Sequence, residues 1–192
     1  MDQRQLVERA RRGDHEAFAA LVHGSVARLE TAGRLILRDP ELARDAVQDA
    51  LFRAWRDLPG LRDPDRFDAW LHRLTVNACL DLARRRRRRP IEVGVLEIEQ
   101  RSGGDPTDAL GDRELVNAVL RRLDEHGRSI VVLHYYLGMP LTDVAATLRI
   151  PVGTVKSRLH RARLALRKKL QRHYDVPEVA PPRGIKPARS SE

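Results

Sequence analysis

Apolar residues recur at intervals of three and four through most of this sequence, which is the period of one face of an α-helix. The longest series runs from Phe18 to Ile36, after a candidate N-cap at Asp14, and it predicts one long amphipathic helix. No segment shows the alternation of apolar and polar residues that marks a strand. The sequence therefore predicts an all-α fold.

Pairs of aspartate and proline mark the next helix starts. Asp39-Pro40 and Asp63-Pro64 each supply an N-cap followed by a proline in the first turn. The second of these helices runs into six consecutive arginines, Arg84 to Arg89, and Pro90 closes the module. Residues 1–90 are therefore predicted to form one small helical domain.

The periodicity fades over residues 91–111, where a Ser-Gly-Gly-Asp-Pro sequence predicts a flexible linker. Helical spacing resumes over residues 112–174, with a predicted break at Asp124 to Gly127 and a short turn at Arg149 to Pro151. Residues 175–192 are rich in Pro, Ser and Arg and are predicted to be a disordered tail. The chain thus divides into two small helical domains joined by a linker.

The composition favours nucleic acid as the partner. The chain carries 36 lysines and arginines against 27 aspartates and glutamates, a net charge of +9. Clustered cations gain affinity for a polyanion by releasing its condensed counterions. No run approaches the ~18 apolar residues that span a bilayer, and the N-terminus lacks the apolar core of a signal peptide. We therefore expect a cytoplasmic protein that binds nucleic acid.

The reactive residues do not indicate an enzyme or a metalloprotein. Cys79 is the single cysteine, which excludes an intramolecular disulfide and the usual zinc sites. The seven histidines show no metal-ligand spacing, and no phosphate-binding glycine loop or nucleophile motif is present. The sequence predicts no catalytic residue, metal or cofactor. A magnesium-dependent nuclease at Asp45 and Asp49 remains an open alternative.

The C-terminal part predicts a helix-turn-helix, because Leu141–Leu148 and a basic helix from Val152 to about His173 are separated by a short turn. No Asp or Glu occurs between Val144 and Tyr174. The first turns of such a helix reach base edges and later cations meet phosphate. We therefore assign Lys156, Ser157, His160 and Arg161 to base reading and Arg163 and Arg167 to the phosphate backbone. A solvated basic face is the alternative. The candidate DNA-binding residues are Lys156, Ser157, Arg158, His160, Arg161 and Arg163.

Two segments carry a resemblance to a known family. The sequences LTDVAATL (141–148) and PVGTVKSRLHRAR (151–163) resemble region four of the extracytoplasmic-function sigma factors of bacterial RNA polymerase. Independently, DAVQDALFRAW (45–55) resembles their region two, which implies docking on a coiled coil of the clamp in the polymerase largest subunit. The resemblance covers residues 3–173, with Pro140 in place of the usual hydroxyl cap.

The polymerase-docking residues implied by this resemblance lie on one predicted helix face. Asp45, Gln48 and Asp49 stand at positions i, i+3 and i+4, and Phe52 continues the same row. An acidic patch in a basic protein suits an arginine-rich partner helix. An ordinary solvated face is the alternative interpretation.

The segment FDAWLHRLTVNA (67–78) resembles the promoter-opening helix of the family. By resemblance, Asn77 and the preceding loop 58–66 recognise the minus-ten element, and an amide such as Asn77 can pair with a flipped base. Trp70 either stacks on a base or belongs to the core, and His72 stands where many relatives carry Tyr. The six arginines either contact phosphates or form a solvated basic linker. The candidate minus-ten residues are Trp70, Arg73, Asn77, Asp81 and Arg84.

The resemblance implies an alternative sigma factor, a non-catalytic subunit that directs RNA polymerase to promoters. Its implied partners are core RNA polymerase, at the clamp coiled coil and the flap of the β subunit, promoter DNA, and an anti-sigma factor that is often membrane-bound. A stand-alone helix-turn-helix regulator is the alternative, although the first ninety residues show no receiver or ligand domain.

Overall fold

A computed structural model describes residues 2–88, 117, 118 and 120–174 of this protein. These residues form helices and turns and no strand. The predicted linker (91–111) and tail (175–192) lie outside the described residues. The α-helices are α1 (Gln3–Arg11), α2 (His15–His23), α3 (Val26–Leu37), α4 (Pro40–Asp57), α5 (Phe67–Arg88), α6 (Glu125–Val131), α7 (Leu141–Leu148) and α8 (Val152–Tyr174). Shorter 3₁₀ turns occupy Leu58–Gly60 and Pro64–Arg66, and a π-helix occupies Val132–Tyr136.

The predicted helix starts are confirmed, because aspartate side chains cap the free backbone N–H groups of each first turn. Asp14 accepts a hydrogen bond from the backbone N–H of Ala17 at 2.9 Å. Asp39 accepts from the first turn of α4 at 3.1 Å, and Pro40 is the first helical residue. Asp63 caps the 3₁₀ turn that leads directly into α5.

One sequence prediction about helix continuity was wrong, and a second was displaced by a few residues. The predicted helix from Phe18 to Ile36 is broken at Gly24 and Ser25, between α2 and α3. Both helices bury one face in the interior, so the apolar spacing continues across the break and does not reveal it.

The predicted helix break exists but lies a few residues earlier than expected, at residues 121–124, so Glu125 to Gly127 belong to the first turn of α6. Asp124 accepts a hydrogen bond from the Gly127 N–H at 2.7 Å, and a Cβ on Gly127 would lie 2.9 Å from that carboxylate oxygen. The glycine therefore makes room for the helix cap and does not end a helix.

The two halves of the chain, α1–α5 and α6–α8, share one continuous hydrophobic core. Ile36 of α3 and Val76 of α5 pack in the same cluster as Ile130 and Leu133 of the C-terminal half. Cys79 lies in this shared core with no exposed surface, and burial raises the pKa of its thiol to about 12. A second cluster, which includes Phe67, lies within the N-terminal half.

A buried arginine connects the two halves. Arg128 of α6 is only 6% exposed, and its Nε donates a hydrogen bond at 2.6 Å to the carbonyl of Ile36, near the C-terminal end of α3. A second nitrogen donates to the Leu123 carbonyl. Burial lowers the pKa of Arg128, while Glu125, 3.8 Å away, opposes that shift. Glu125 also pairs with Arg87 of α5, so these groups form one polar network across the interface.

Two further arginines reach across the interface at its edges. Arg28 of α3 donates to the Tyr136 carbonyl at 2.8 Å and lies over the ring of the same tyrosine. Arg66 pairs with Asp143 of α7 at 3.3 Å. The C-terminal half is thus held against α3, α5 and the loop that precedes α5.

Arg128→Met should lower the free energy of unfolding by about 3 kcal/mol, because the change leaves two carbonyls without a donor and Glu125 with one partner fewer. Urea unfolding of the full chain measures this value. Arg122→Met, at an exposed arginine, is the matched control and should change it by less than about 0.5 kcal/mol. Equal unfolding midpoints for Arg128→Met and the wild type would contradict the assigned role.

Candidate nucleic-acid interface

The predicted docking residues lie on the outer face of α4. Asp45, Gln48 and Phe52 are exposed and Asp49 is half-buried, while a row of alanines and Val47 forms the buried face. Phe52 is 65% exposed and is the most exposed large apolar side chain of the described residues. This face therefore offers a partner one large aromatic ring beside carboxylate groups.

An arginine connects this docking face to α5. Arg53 pairs with Asp49 at 2.6 Å and reaches Asp81 of α5 at 3.4 Å, and Asp81 also pairs with Arg84. The hydrogen bond with Asp49 raises the pKa of Arg53. The sequence interpretation missed Arg53, although its i, i+4 spacing from Asp49 was a usable signal.

The predicted minus-ten residues lie on one side of α5 and differ in their exposure to solvent. Arg73 and Arg84 are exposed, whereas Asn77 and Asp81 are half-buried. Asp81 already binds two arginines within the chain, so its carboxylate positions cations on this face. The face therefore offers guanidinium groups around one amide, a set that suits phosphates beside a base edge.

Two aromatic positions on α5 point to the core more than to solvent. Trp70 is half-buried, packs against the N-terminal core and lies 6.0 Å from the Phe67 ring. His72 is 7% exposed, and burial lowers the pKa of its imidazole. His72 consequently provides no exposed platform for a base.

The helix-turn-helix has the predicted bounds. Arg149 adopts a left-handed conformation with φ 55°, and the N–H of Ile150 donates to the Ala145 carbonyl at 3.1 Å, which closes the turn between α7 and α8. Pro140 precedes α7 without a side-chain cap. The residues that seal the angle between the two helices are buried and comprise Val144, Ala145, Leu148, Val155, Leu159 and Ala162.

The outer face of α8 carries the predicted recognition residues. Arg158 is half-buried, and the Ser157 hydroxyl donates to the Thr154 carbonyl at 3.0 Å, which leaves its oxygen free to accept. The exposed members of the set are Lys156, Ser157, His160, Arg161 and Arg163. The geometry thus presents a basic helix that contains no Asp or Glu.

Family models match both halves of the chain. The model of Sigma-70 region 2 matches residues 15–89, and the model of Sigma-70, region 4, matches residues 113–166. The RNA polymerase sigma-H factor of Pseudomonas aeruginosa is 33% identical over 87% of this chain and 93% of its own length. The ECF RNA polymerase sigma factor SigW of Bacillus subtilis is 30% identical over 88% of this chain and 96% of its own. The chain is an extracytoplasmic-function sigma factor.

Solved structures agree with this membership. This sigma factor is similar to CnrH, solved in complex with the cytosolic domain of CnrY, with a TM-score of 0.63 and 31% identity over 89% of this chain and 99% of that chain. RpoE from Bartonella quintana, in complex with the anti-sigma factor NepR, gives a TM-score of 0.61 and 25% identity over 80% of this chain and 96% of its own. The all-α architecture with two helical domains, region 2 and region 4, is therefore confirmed.

As an alternative sigma factor, the protein directs transcription initiation by RNA polymerase. The members of its family are non-catalytic subunits of that polymerase. The stand-alone regulator is not favoured, since region 2 is matched as well as region 4. Among the described residues of this sigma factor, no three His, Cys, Asp or Glu side chains cluster in a way that could hold a metal ion. In the same part of the chain, no helix is long and apolar enough to cross a membrane.

Arg149→Gly should raise the free energy of unfolding by about 0.5 kcal/mol, because the relief of a left-handed backbone exceeds the entropy that glycine adds to the unfolded chain. Arg149→Ile should lower it by about 1 kcal/mol or more, since β-branching disfavours this conformation. Thermal or urea unfolding checks both signs. Ala146→Gly, in the exposed interior of α7, is the control and should lower the same free energy by about 1 kcal/mol. A loss of stability in Arg149→Gly would contradict the argument.

Proposed function

We propose that three faces of this sigma factor divide the work of initiation. The α4 face docks on the clamp coiled coil of core polymerase, the α5 face captures the minus-ten element, and α8 reads the minus-thirty-five element. The observation that carries this division is the segregation of charge. The acidic α4 face and the basic α8 face lie on different helices and both face solvent.

The docking assignment rests on charge and on an exposed ring. Asp45 has no ion pair among the described residues, so its carboxylate is available to a cationic partner. Phe52 adds a large, exposed apolar side chain at the C-terminal end of the same row. An arginine-rich helix of polymerase would satisfy both features.

The minus-ten assignment rests on the combination of groups on α5. Asn77 can pair with the edge of an unstacked base, and Arg73 can bind the adjacent phosphate. The loop 58–66 precedes this face, and it holds exposed charged residues above a buried Leu61. Trp70 is half-buried and packs against the core, so only part of its surface is available to a base.

The minus-thirty-five assignment rests on α8 and its turn. The first exposed turns carry Lys156 and Arg161, which suit base edges in the major groove. Arg163 follows them and suits phosphate. We further propose that region 4 contacts the flap of the β subunit, which would place α8 on upstream DNA.

An anti-sigma factor is proposed as the restraint on the free protein. Phosphate attraction alone binds any DNA at ~10⁻⁴ to 10⁻⁶ M, so a basic factor without restraint would occupy unspecific sites. CnrH and RpoE, the relatives described above, were each solved in complex with a partner protein. We place this sigma factor in the cytoplasm with polymerase, held at the membrane when its anti-sigma factor is membrane-bound, and assign it no catalysis of its own.

Charge reversal on α4 tests the docking face. Asp45→Arg with Asp49→Arg should weaken binding to purified core polymerase at least tenfold and abolish promoter-dependent transcription, because cations would face the cationic partner. Asp45→Arg with Phe52→Ala should do the same while it leaves the Asp49–Arg53 pair intact. Fluorescence titration of core polymerase and run-off transcription are the measurements.

Glu16→Arg with Glu30→Arg is the control, since it makes the same change of charge on α2 and α3 and should bind as the wild type does. If the α4 variants also bind core polymerase as tightly as the wild type does, the assignment of the docking face to α4 is wrong. If the wild type ignores polymerase yet binds one duplex specifically, the chain is a stand-alone regulator.

Substitutions of two neighbouring arginines on α8 should have different effects on DNA binding. Arg161→Ala should relax discrimination at one base pair of the minus-thirty-five element by about 1 to 3 kcal/mol, because a base contact is lost. Arg163→Ala should weaken binding to all promoter sequences by the same factor and reduce the slope of log affinity against log salt by about 1. Holoenzyme binding to a panel of single-base promoter variants separates the two. Equal effects of both changes on every sequence would refute the base-reading role.

A further inference from the structure

The arginines at the C-terminal end of α5 differ in what they contact. Arg86 lies 3.4 Å from Asp39, the residue that caps α4, and Arg87 pairs with Glu125 of α6. Both side chains therefore connect elements of this chain to one another. Their guanidinium groups are occupied by structural partners.

Arg85 and Arg88 are different, because both are exposed and neither forms an ion pair among the described residues. Together with Arg84 and Asp81 they line a surface groove. Three guanidinium groups against one carboxylate leave two positive charges in excess. The Asp81 carboxylate is already shared between Arg84 and Arg53, so it does not neutralise the other two arginines.

We propose that this groove, which we call the arginine groove (Asp81, Arg84, Arg85 and Arg88), binds backbone phosphates of duplex DNA next to the minus-ten element. Arg85 and Arg88 supply the two guanidinium groups of the groove that have no ion pair among the described residues. Arg86 and Arg87 serve the fold and do not bind DNA. The inference rests on the proposed minus-ten role of α5 and extends it.

The groove continues the proposed minus-ten face. Arg73, Asn77, Arg84 and Arg88 follow one another at helical spacing, so they lie along one side of α5. Arg88 lies ~16 Å along the helix axis from Asn77, at 1.5 Å per residue. A DNA strand that presents a base to Asn77 would therefore bring its phosphates past the groove.

The direction of the chain favours duplex as the bound form. The loop 58–66 and Asn77, which face the opened element, both lie on the N-terminal side of the groove. Beyond Arg88 the sequence leads to region 4, to which the proposed function assigns the minus-thirty-five element. The groove therefore faces the spacer between the two elements, where the DNA stays paired.

The carboxylate of Asp81 sets the geometry of the groove and does not oppose binding. It holds Arg84 and thereby leaves Arg85 and Arg88 as the groups that a phosphate would meet. A guanidinium group can donate two parallel hydrogen bonds to a phosphate, so Arg85 and Arg88 account for one phosphate each. Two phosphates contribute ~1.8 to the slope of log affinity against log salt for duplex DNA.

The test compares two double variants in holoenzyme on a promoter duplex between 50 and 200 mM KCl. Arg85→Gln with Arg88→Gln should reduce the slope of log affinity against log salt by ~1.8. The ratio of wild-type to variant affinity should therefore fall about tenfold between the lowest and the highest salt concentration. Arg86→Gln with Arg87→Gln makes the same change of charge in the same tract. This control should reduce the slope by less than ~0.5, although it should lower thermal stability.

A second probe separates duplex from single strand. On a single-stranded minus-ten oligonucleotide without the spacer, the Arg85 and Arg88 variant should bind as the wild type does. A loss of affinity there would overturn the duplex assignment. Equal slope changes in the two double variants would overturn the division of the tract, and a wild-type slope in the Arg85 and Arg88 variant would overturn the groove. Failure of wild-type holoenzyme to initiate at promoters would instead refute the proposed function on which the groove rests.

Discussion

The buried guanidinium group of Arg128 is the constraint on which the relation between the two halves depends. A cation that is 6% exposed persists only where its hydrogen bonds are satisfied, and here the carbonyls of Ile36 and Leu123 satisfy them. The end of α3 thereby gains a donor that its own helix cannot supply. This buried polar contact, together with the pairs that Arg28, Arg66 and Arg87 form across the same interface, fixes how region 4 is positioned on α3, which apolar packing alone would not do.

Ion pairs between helices determine which charges remain exposed on each proposed functional face. Arg53 separates the carboxylates of Asp49 and Asp81, which belong to two different faces, and it pairs with both. Arg86 in turn contacts the aspartate that caps α4. The same ion pairs that hold α4 against α5 therefore decide which charges remain available to polymerase and which to DNA. Stability and binding are linked through these shared side chains.

The sequence carries the local features of the fold and few of the tertiary ones. The caps at Asp39 and Asp63 were predictable because capping is decided by neighbouring residues. The break at Gly24 was not predictable, because the spacing of apolar residues continues unchanged from α2 into α3. The burial of Arg128 was also out of reach, because its acceptor lies 92 positions away in sequence.

The candidate sites divide in the same way. Periodicity placed Asp45 and Phe52 on one exposed face, and their role in docking stays a prediction. The partners of Asp81 and the division of the arginine tract depend on contacts between helices, which no single helix pattern contains.

The position of Cys79 has a consequence for following this molecule in solution. The thiolate is the reactive form of cysteine, and a buried thiol with a pKa of about 12 is neither ionised nor accessible near neutral pH. Cys79 lies in the core that region 2 and region 4 share, and it is the single cysteine of the chain. Alkylation of Cys79 therefore requires this shared core to open, so its rate in the unmodified chain reports how often that opening occurs.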